Sequence, residues 1–173
     1  MKILGLMRHA KSDWNDGDTR DFDRGLNARG RKGARLMGDH IRNHGIKWDT
    51  LIASPAQRVK TTLEEALPDR EPSWDRRLYL AGTDTIMDVL HEATGKAVLI
   101  AAHNPGLGDM LFELVAPKQE NALYDEAKVK FPTAAYAVFE LDIDDWSELR
   151  TGCGVLAHFA RPRDLDAELG PEY

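Results

Sequence analysis

Ala97-Val-Leu-Ile-Ala-Ala102, followed at once by His103-Asn-Pro105, is the stretch on which the fold turns. Six apolar residues in a row, bounded by turn formers, read as a central strand. The chain opens on a similar design: Lys2-Ile-Leu-Gly-Leu-Met7 reads as a short buried strand whose end delivers Arg8 and His9. Residues 50–53 make a third brief apolar strand that ends at Ser54.

Between these strands the apolar spacing changes to that of helices. Asn27 caps a helix with Ala34, Met37 and Ile41 on one face, closed by Gly45. Ser54-Pro55 reads as a hydroxyl cap with proline at the first helical position; Val59, Thr62, Leu63, Ala66 and Leu67 then keep helical spacing until Pro68. Ile86, Val89, Leu90 and Ala93 mark another helix, and Asn104-Pro105 launches one through Leu107, Leu111 and Leu114. Beyond Pro117, residues 134–141 and 155–159 read as strands joined by a turn over 142–146, and residues 161–173 as a polar tail. Strands alternating with helices predict an α/β fold with residues 1–173 as a single domain.

The bulk numbers restrict function. Hydrophobic residues at 42% and charged residues at 30% are ordinary for a globular domain. A net charge of −6 disfavours general nucleic-acid binding, and an anionic substrate then needs a local positive pocket. Cys153 is alone, so no internal disulfide forms, and nothing before Ile3 reads as a signal sequence. No apolar run approaches the ~20 residues that cross a bilayer, so a cytoplasmic protein with no membrane partner is expected.

The strand ends carry the chemistry. His9 and His103 each follow a strand, and Arg58 lies just after another. In open α/β sheets such ends gather along one edge, where ligands bind, so residues far apart in sequence converge. An imidazole nucleophile beside fixed guanidinium groups suits attack on a phosphoryl group, whose oxygens must be held during in-line approach.

These residues, in this order, resemble the histidine phosphatase superfamily and, within it, the SixA-type phosphohistidine phosphatases. Arg8-His9 matches the superfamily's Arg-His signature, with Ala10 where many members have Gly; Asn15 lies where that signature often continues. Ser54-Pro55-Ala56, Arg58 and Thr62 match its second motif and His103 its late histidine, while Asp21, Arg24 and Leu26 match a stretch of the SixA-like branch. The resemblance implies a three-layer α/β/α sandwich with a mostly parallel central sheet, phosphoglycerate mutase-like. It also implies a catalytic set: His9 as the nucleophile that becomes a transient phosphohistidine, with Arg8, Arg58 and His103 around the phosphoryl oxygens. Arg24 and Asn15 are expected to help bind substrate. No cofactor or metal is implied.

One family feature is missing. Members acting on phosphomonoesters usually carry a Glu as general acid after the second motif, whereas Arg77-Leu-Tyr-Leu-Ala-Gly82 offers no carboxylate in an obvious place. Asp21 or Asp23 could substitute. An alkoxide leaves poorly without a proton, whereas an imidazole protonates readily near neutral pH, so the gap favours a phosphoramidate such as phosphohistidine. One helix and its connections separate Thr62 from the strand at Ala97, which leaves little for a lid and predicts an open pocket. The expected partner is a phosphohistidine-bearing protein of a phosphorelay or phosphocarrier system. The alternatives are a phosphatase of small phosphoesters and a non-catalytic phosphate-recognition module.

Other features have plainer readings. Arg24 could salt-bridge the acidic loop, and Asn15 could be a turn residue beside Asp16-Gly17. His40 and His44 stand at a zinc-compatible spacing but read as an exposed polar helix face. Trp14, Trp48, Trp74 and Trp146 read as packing anchors and Cys153 as a small buried residue.

Overall fold

The computed structural model describes residues 1–15 and 17–170; Asp16, half of the turn expected beside Asn15, and residues 171–173 of the expected tail lie outside the described residues. In chain order the strands and helices are β1 (Lys2–Arg8), α1 (Ala28–His44), β2 (Thr50–Ala53), α2 (Gln57–Ala66), β3 (Ser73–Trp74) and α3 (Thr83–His91). Then follow β4 (Ala97–Ala102), α4 (Gly106–Leu114), α5 (Ala122–Ala127), β5 (Tyr136–Leu141), β6 (Gly154–Ala160) and α6 (Pro162–Leu165). The strands form one sheet in the order β3-β2-β4-β1-β5-β6. The first four in that order run parallel, and β5 and β6 are added antiparallel at one edge.

Strand β4 lies between β2 and β1, and all six of its residues are buried. Val98, Ile100 and Ala102 face a layer built from α3, α4 and α5, while Ala97, Leu99 and Ala101 face α1 and α2. Both faces being covered, the alternation of a half-buried strand disappears and a continuous apolar run remains. Burying a Leu or Ile side chain contributes about 1.5–3 kcal/mol, so β4 anchors both layers of the α/β/α sandwich.

The helix caps operate with two adjustments. Asn27 accepts from the Gly30 amide at 2.7 Å, and Gly45 ends α1 at φ 86°. Helix α2 begins at Gln57, not at Ser54-Pro55, because Ser54 is held at the strand end by its bond to His103. Strand β5 begins at Tyr136, since Ala134 stands in the left-handed region at φ 60° and cannot extend a strand. Trp48 and Trp146 are core residues, but Trp14 and Trp74 are 69% and 43% exposed and lie outside the core.

Residues 161–170, read above as a polar tail, are folded. They carry α6 and a 3-10 turn at Ala167–Leu169 that lie along α1, with Lys32 Nζ 3.0 Å from Asp166 and Arg29 donating to the Gly170 carbonyl. His40 and His44 are likewise not a free polar face. His158 of β6 packs between them, its Nε2 2.8 Å from that of His40 and its ring stacked 4.1 Å from His44. One Nε2 of that pair donates and the other accepts, so at least one ring is neutral. Burial, then the neighbouring His44 and His40, hold His158 down at about 4.

Two outcomes follow from this packing. Gly38 of α1 faces the Ala66 carbonyl so closely that an added Cβ would lie 2.0 Å from its oxygen. Gly38→Ala, which raises helix propensity, should nevertheless lower the urea midpoint, on the order of 1–3 kcal/mol of overpacking outweighing about 1 kcal/mol of propensity. The second concerns acid. A histidine depressed to about 4 in the fold and near 6.5 in the unfolded chain takes its proton first in the unfolded chain. Its stabilising contribution is therefore full above about 6.5 and is lost as pH falls toward about 4. Urea midpoints measured across that window should drop less steeply for His158→Gln than for the parent; parallel curves would contradict the assignment.

Candidate active site

Parallel pairing of β1 with β4 sets Arg8 opposite Ala102, so His9 and His103 leave the sheet side by side. Their rings lie 5.3 Å apart, and the His9 amide donates to the Ala102 carbonyl at 3.1 Å. Arg58 enters from the first turn of α2, the helix after the neighbouring strand β2. Arg8, His9, Arg58 and His103 thus line one cavity of about 750 Å³ at the carboxyl edge of the parallel strands.

His9 is fixed by a chain of bonds. Its Nδ1 lies 2.8 Å from the Ala10 carbonyl oxygen, which can only accept, so Nδ1 carries the proton and Nε2 the lone pair. The Ala10 amide in turn donates to Thr62 Oγ1 at 2.9 Å, and that hydroxyl donates to the Arg58 carbonyl at 2.6 Å. Thr62 therefore ties the loop after His9 to the helix that carries the second arginine. Burial, with smaller contributions from Arg8 and Arg58, depresses His9 to about 4 although the Ala10 carbonyl pulls the other way. At neutral pH it is an uncharged imidazole.

His103 is buried and held by Ser54, whose Oγ lies 2.8 Å from Nε2 and also accepts from the Ala56 amide. Burial, then His9 and Arg58, push His103 down to about 3. Its Nδ1 and the Nε of Arg8 are buried without a hydrogen-bond partner among the described residues. Arg8 Nη1 donates to the Phe131 carbonyl at 3.2 Å, and Asn104 Nδ2 donates to the same oxygen at 2.8 Å.

The helper residues are placed differently from expectation. Arg24 is buried, donates to the carbonyls of Asp13 and Thr19, and stacks under Trp14 with Cζ 3.9 Å from the ring centre. It braces the loop and does not line the cavity. Asn15 is exposed and outside the lining, its amide turned back on Asp13 Oδ1 at 2.9 Å. Asp21 does line the cavity, but as an ion-pair partner: Arg58 Nη2 is 3.1 Å from its carboxylate, and Tyr79 Oη donates to the same oxygen. Tyr79's hydrogen bond, together with the Arg58 charge, holds the Asp21 carboxyl below its usual value against the opposing effect of burial. It is ionised at neutral pH and carries no proton to give. Asp23 pairs with Arg20 on the surface.

Sequence reasoning did not single out Tyr79 or the Phe131 carbonyl; it read Asn104 as a helix start, and Ser54 as a cap within the second motif without its bond to His103. Tyr79 sits within the segment searched for a carboxylate; its edge contacts the His103 ring at 5.4 Å. Leu80 and Ala134, both with positive φ (51° and 60°), also line the cavity. Strained backbone thus gathers at the site, as it does where a loop must be held in one shape.

The chain is similar to known proteins over nearly its whole length. The family model "Histidine phosphatase superfamily (branch 1)" matches residues 4–81. An uncharacterised protein of Mycobacterium tuberculosis is 30% identical over 160 residues, spanning 91% of this chain and 100% of that one. One of Mycobacterium leprae is 28% identical over 162 residues, with 91% and 100% covered. Among solved structures, one assigned as the phosphohistidine phosphatase SixA from Nakamurella multipartitia superposes with TM-score 0.82 and 26% identity, covering 93% of this chain and 96% of that one. Its counterpart from Agrobacterium tumefaciens gives 0.77 and 25%, with 93% and 98% covered. With its motifs in family order and its fold matched at these scores, the chain belongs to the histidine phosphatase superfamily, in its SixA-type group.

Proposed function

We propose that this protein removes the phosphoryl group from phosphohistidine on a partner protein, through a phosphohistidine formed on His9 and without a metal ion. The observation that carries the reading is a neutral His9, proton on Nδ1 and lone pair on Nε2, beside two arginines and a second histidine. Nε2 attacks phosphorus as the bond to the partner's imidazole nitrogen breaks. That imidazole takes a proton from water on its other nitrogen near neutral pH and departs as a neutral ring, so no enzyme acid is needed. Water then attacks the phosphorus on His9, releasing inorganic phosphate and restoring the neutral imidazole.

Arg8 and Arg58 supply fixed charge for the phosphoryl oxygens. The unsatisfied donors fit the same role: an oxygen within reach of Arg8 Nε and a protonated His103 Nδ1 would complete both. Ser54 donating its hydroxyl proton to His103 Nε2 places that ring's proton on Nδ1. Bound phosphate offsets the burial that keeps His103 uncharged and draws it toward the imidazolium.

An ester substrate needs a protonated donor, and Asp21, the one acidic side chain among the described residues that line the cavity, is held as a carboxylate. A binding module without turnover has no use for a nucleophile whose tautomer is set.

Phosphate release should be faster from a phosphohistidine-bearing protein than from any of a panel of phosphomonoesters. In His9→Ala it should fall by about 10³-fold or more. Activity retained in that variant would remove the nucleophile assignment. Preference for an ester would remove the substrate. Asp21→Asn should lower turnover of the phosphohistidine protein less than about tenfold, since it loosens Arg58 without removing a proton donor. A loss as large as that of His9→Ala would make Asp21 the acid after all.

A further inference from the structure

Past the reacting group, the cavity continues between the segment preceding β5 and the folded segment 161–170, and its lining becomes cationic. Lys11, Arg29, Lys130, Arg161 and Arg163 line this outer part. Among the described lining residues Asp21 is the one acidic side chain, and Arg58 and Tyr79 already hold it. Arg161 is engaged by Asp164 and Glu126, and Arg29 by the Gly170 carbonyl, so these two shape the wall. Lys130 and Arg163 stand exposed at its rim. In a chain of net charge −6 this is a concentrated field of the opposite sign, able to draw in and orient an anionic surface.

A second observation says how large that surface is. A second, smaller cavity of about 300 Å³ shares Arg8, Asn104 and Lys130 with the first, and Phe112 and Val129 line it while 56% and 82% exposed. Trp14 and Leu80, 69% and 53% exposed, line the first cavity. Of the six large apolar side chains exposed among the described residues, four therefore line these two neighbouring cavities. Exposed apolar side chains gathered with cations around a cleft mark a surface that another macromolecule covers.

We infer that the mouth docks a partner protein whose phosphohistidine is flanked by acidic side chains, with Lys130 and Arg163 meeting those acids. The inference rests on the phosphohistidine reading above and adds the chemistry of the partner's surface. A phosphohistidine set among lysines meets the same cations and is repelled, so the cleft selects partners by their flanking charge.

The test uses two synthetic peptides, each carrying one phosphohistidine, flanked by glutamates in one and by lysines in the other. At low salt the parent protein should turn over the glutamate peptide with kcat/KM about tenfold or more higher, and the difference should shrink as sodium chloride approaches about 0.5 M. The double variant Lys130→Glu with Arg163→Glu, its thermal midpoint checked against the parent, should lose or invert that order through KM. Equal turnover of both peptides, or a double variant with unchanged preference, overturns the docking inference while leaving the phosphohistidine reading in place. If neither peptide is dephosphorylated while small phosphomonoesters are, the phosphohistidine reading itself fails and the inference goes with it.

Discussion

Parallel pairing of β1 with β4, in the register that sets Arg8 against Ala102, is the constraint on which the site depends. Both strands stop at the same level, so the next residue of each, His9 and His103, emerges beside the other. Strand β2 adds Ser54 and then Arg58 from its far side. Polar side chains drawn from three distant parts of the chain meet because three strand ends are coplanar, and the cores on both faces of β4 hold them so. A slip of one residue between β1 and β4 would exchange the faces of β1 and carry His9 away from its neighbour.

Charge is managed by the same packing. Arginines stay charged when buried, whereas burial discharges histidine, so one environment yields cations at Arg8 and Arg58 and neutral rings at His9 and His103. The nucleophilic role proposed for His9 requires that neutrality. Each half of the arrangement is braced from the backbone: Ala10 and Thr62 hold His9, Ser54 holds His103, and the Phe131 carbonyl holds Arg8 together with Asn104. The Arg58–Asp21–Tyr79 contact closes the third side and keeps a carboxylate where a proton donor would otherwise stand.

Much of this was legible in the sequence, for physical reasons. Strand β4 is buried on both faces and therefore reads as an unbroken apolar run, and α1 carries both its cap and its glycine stop. The four residues that meet in the cavity sit at strand or helix ends, where fold rules place ligand sites. Elements without such signals were missed: β3 is only two exposed residues long, and α5 is a six-residue helix with an Asn121 cap as its local mark. The segment 161–170 reads as a tail because its cohesion lies in contacts to residues about 130 positions earlier, which no local pattern reveals. Arg24 and Asn15 illustrate a further limit. Their types suit phosphate, but the loop's own carbonyls and Trp14 engage Arg24 first, and Asn15 turns outward.

The central claim is that His9 Nε2 forms the bond to phosphorus, and rapid quenching tests it most directly. The protein is mixed with a radiolabelled phosphohistidine-bearing protein, quenched in alkali within the first turnovers, and digested for mapping. The expected result is a transient, acid-labile and alkali-stable label on the peptide containing His9, decaying as inorganic phosphate appears and missing in His9→Ala. Release of phosphate from the parent protein with no labelled intermediate, or with the label on another residue, would contradict it.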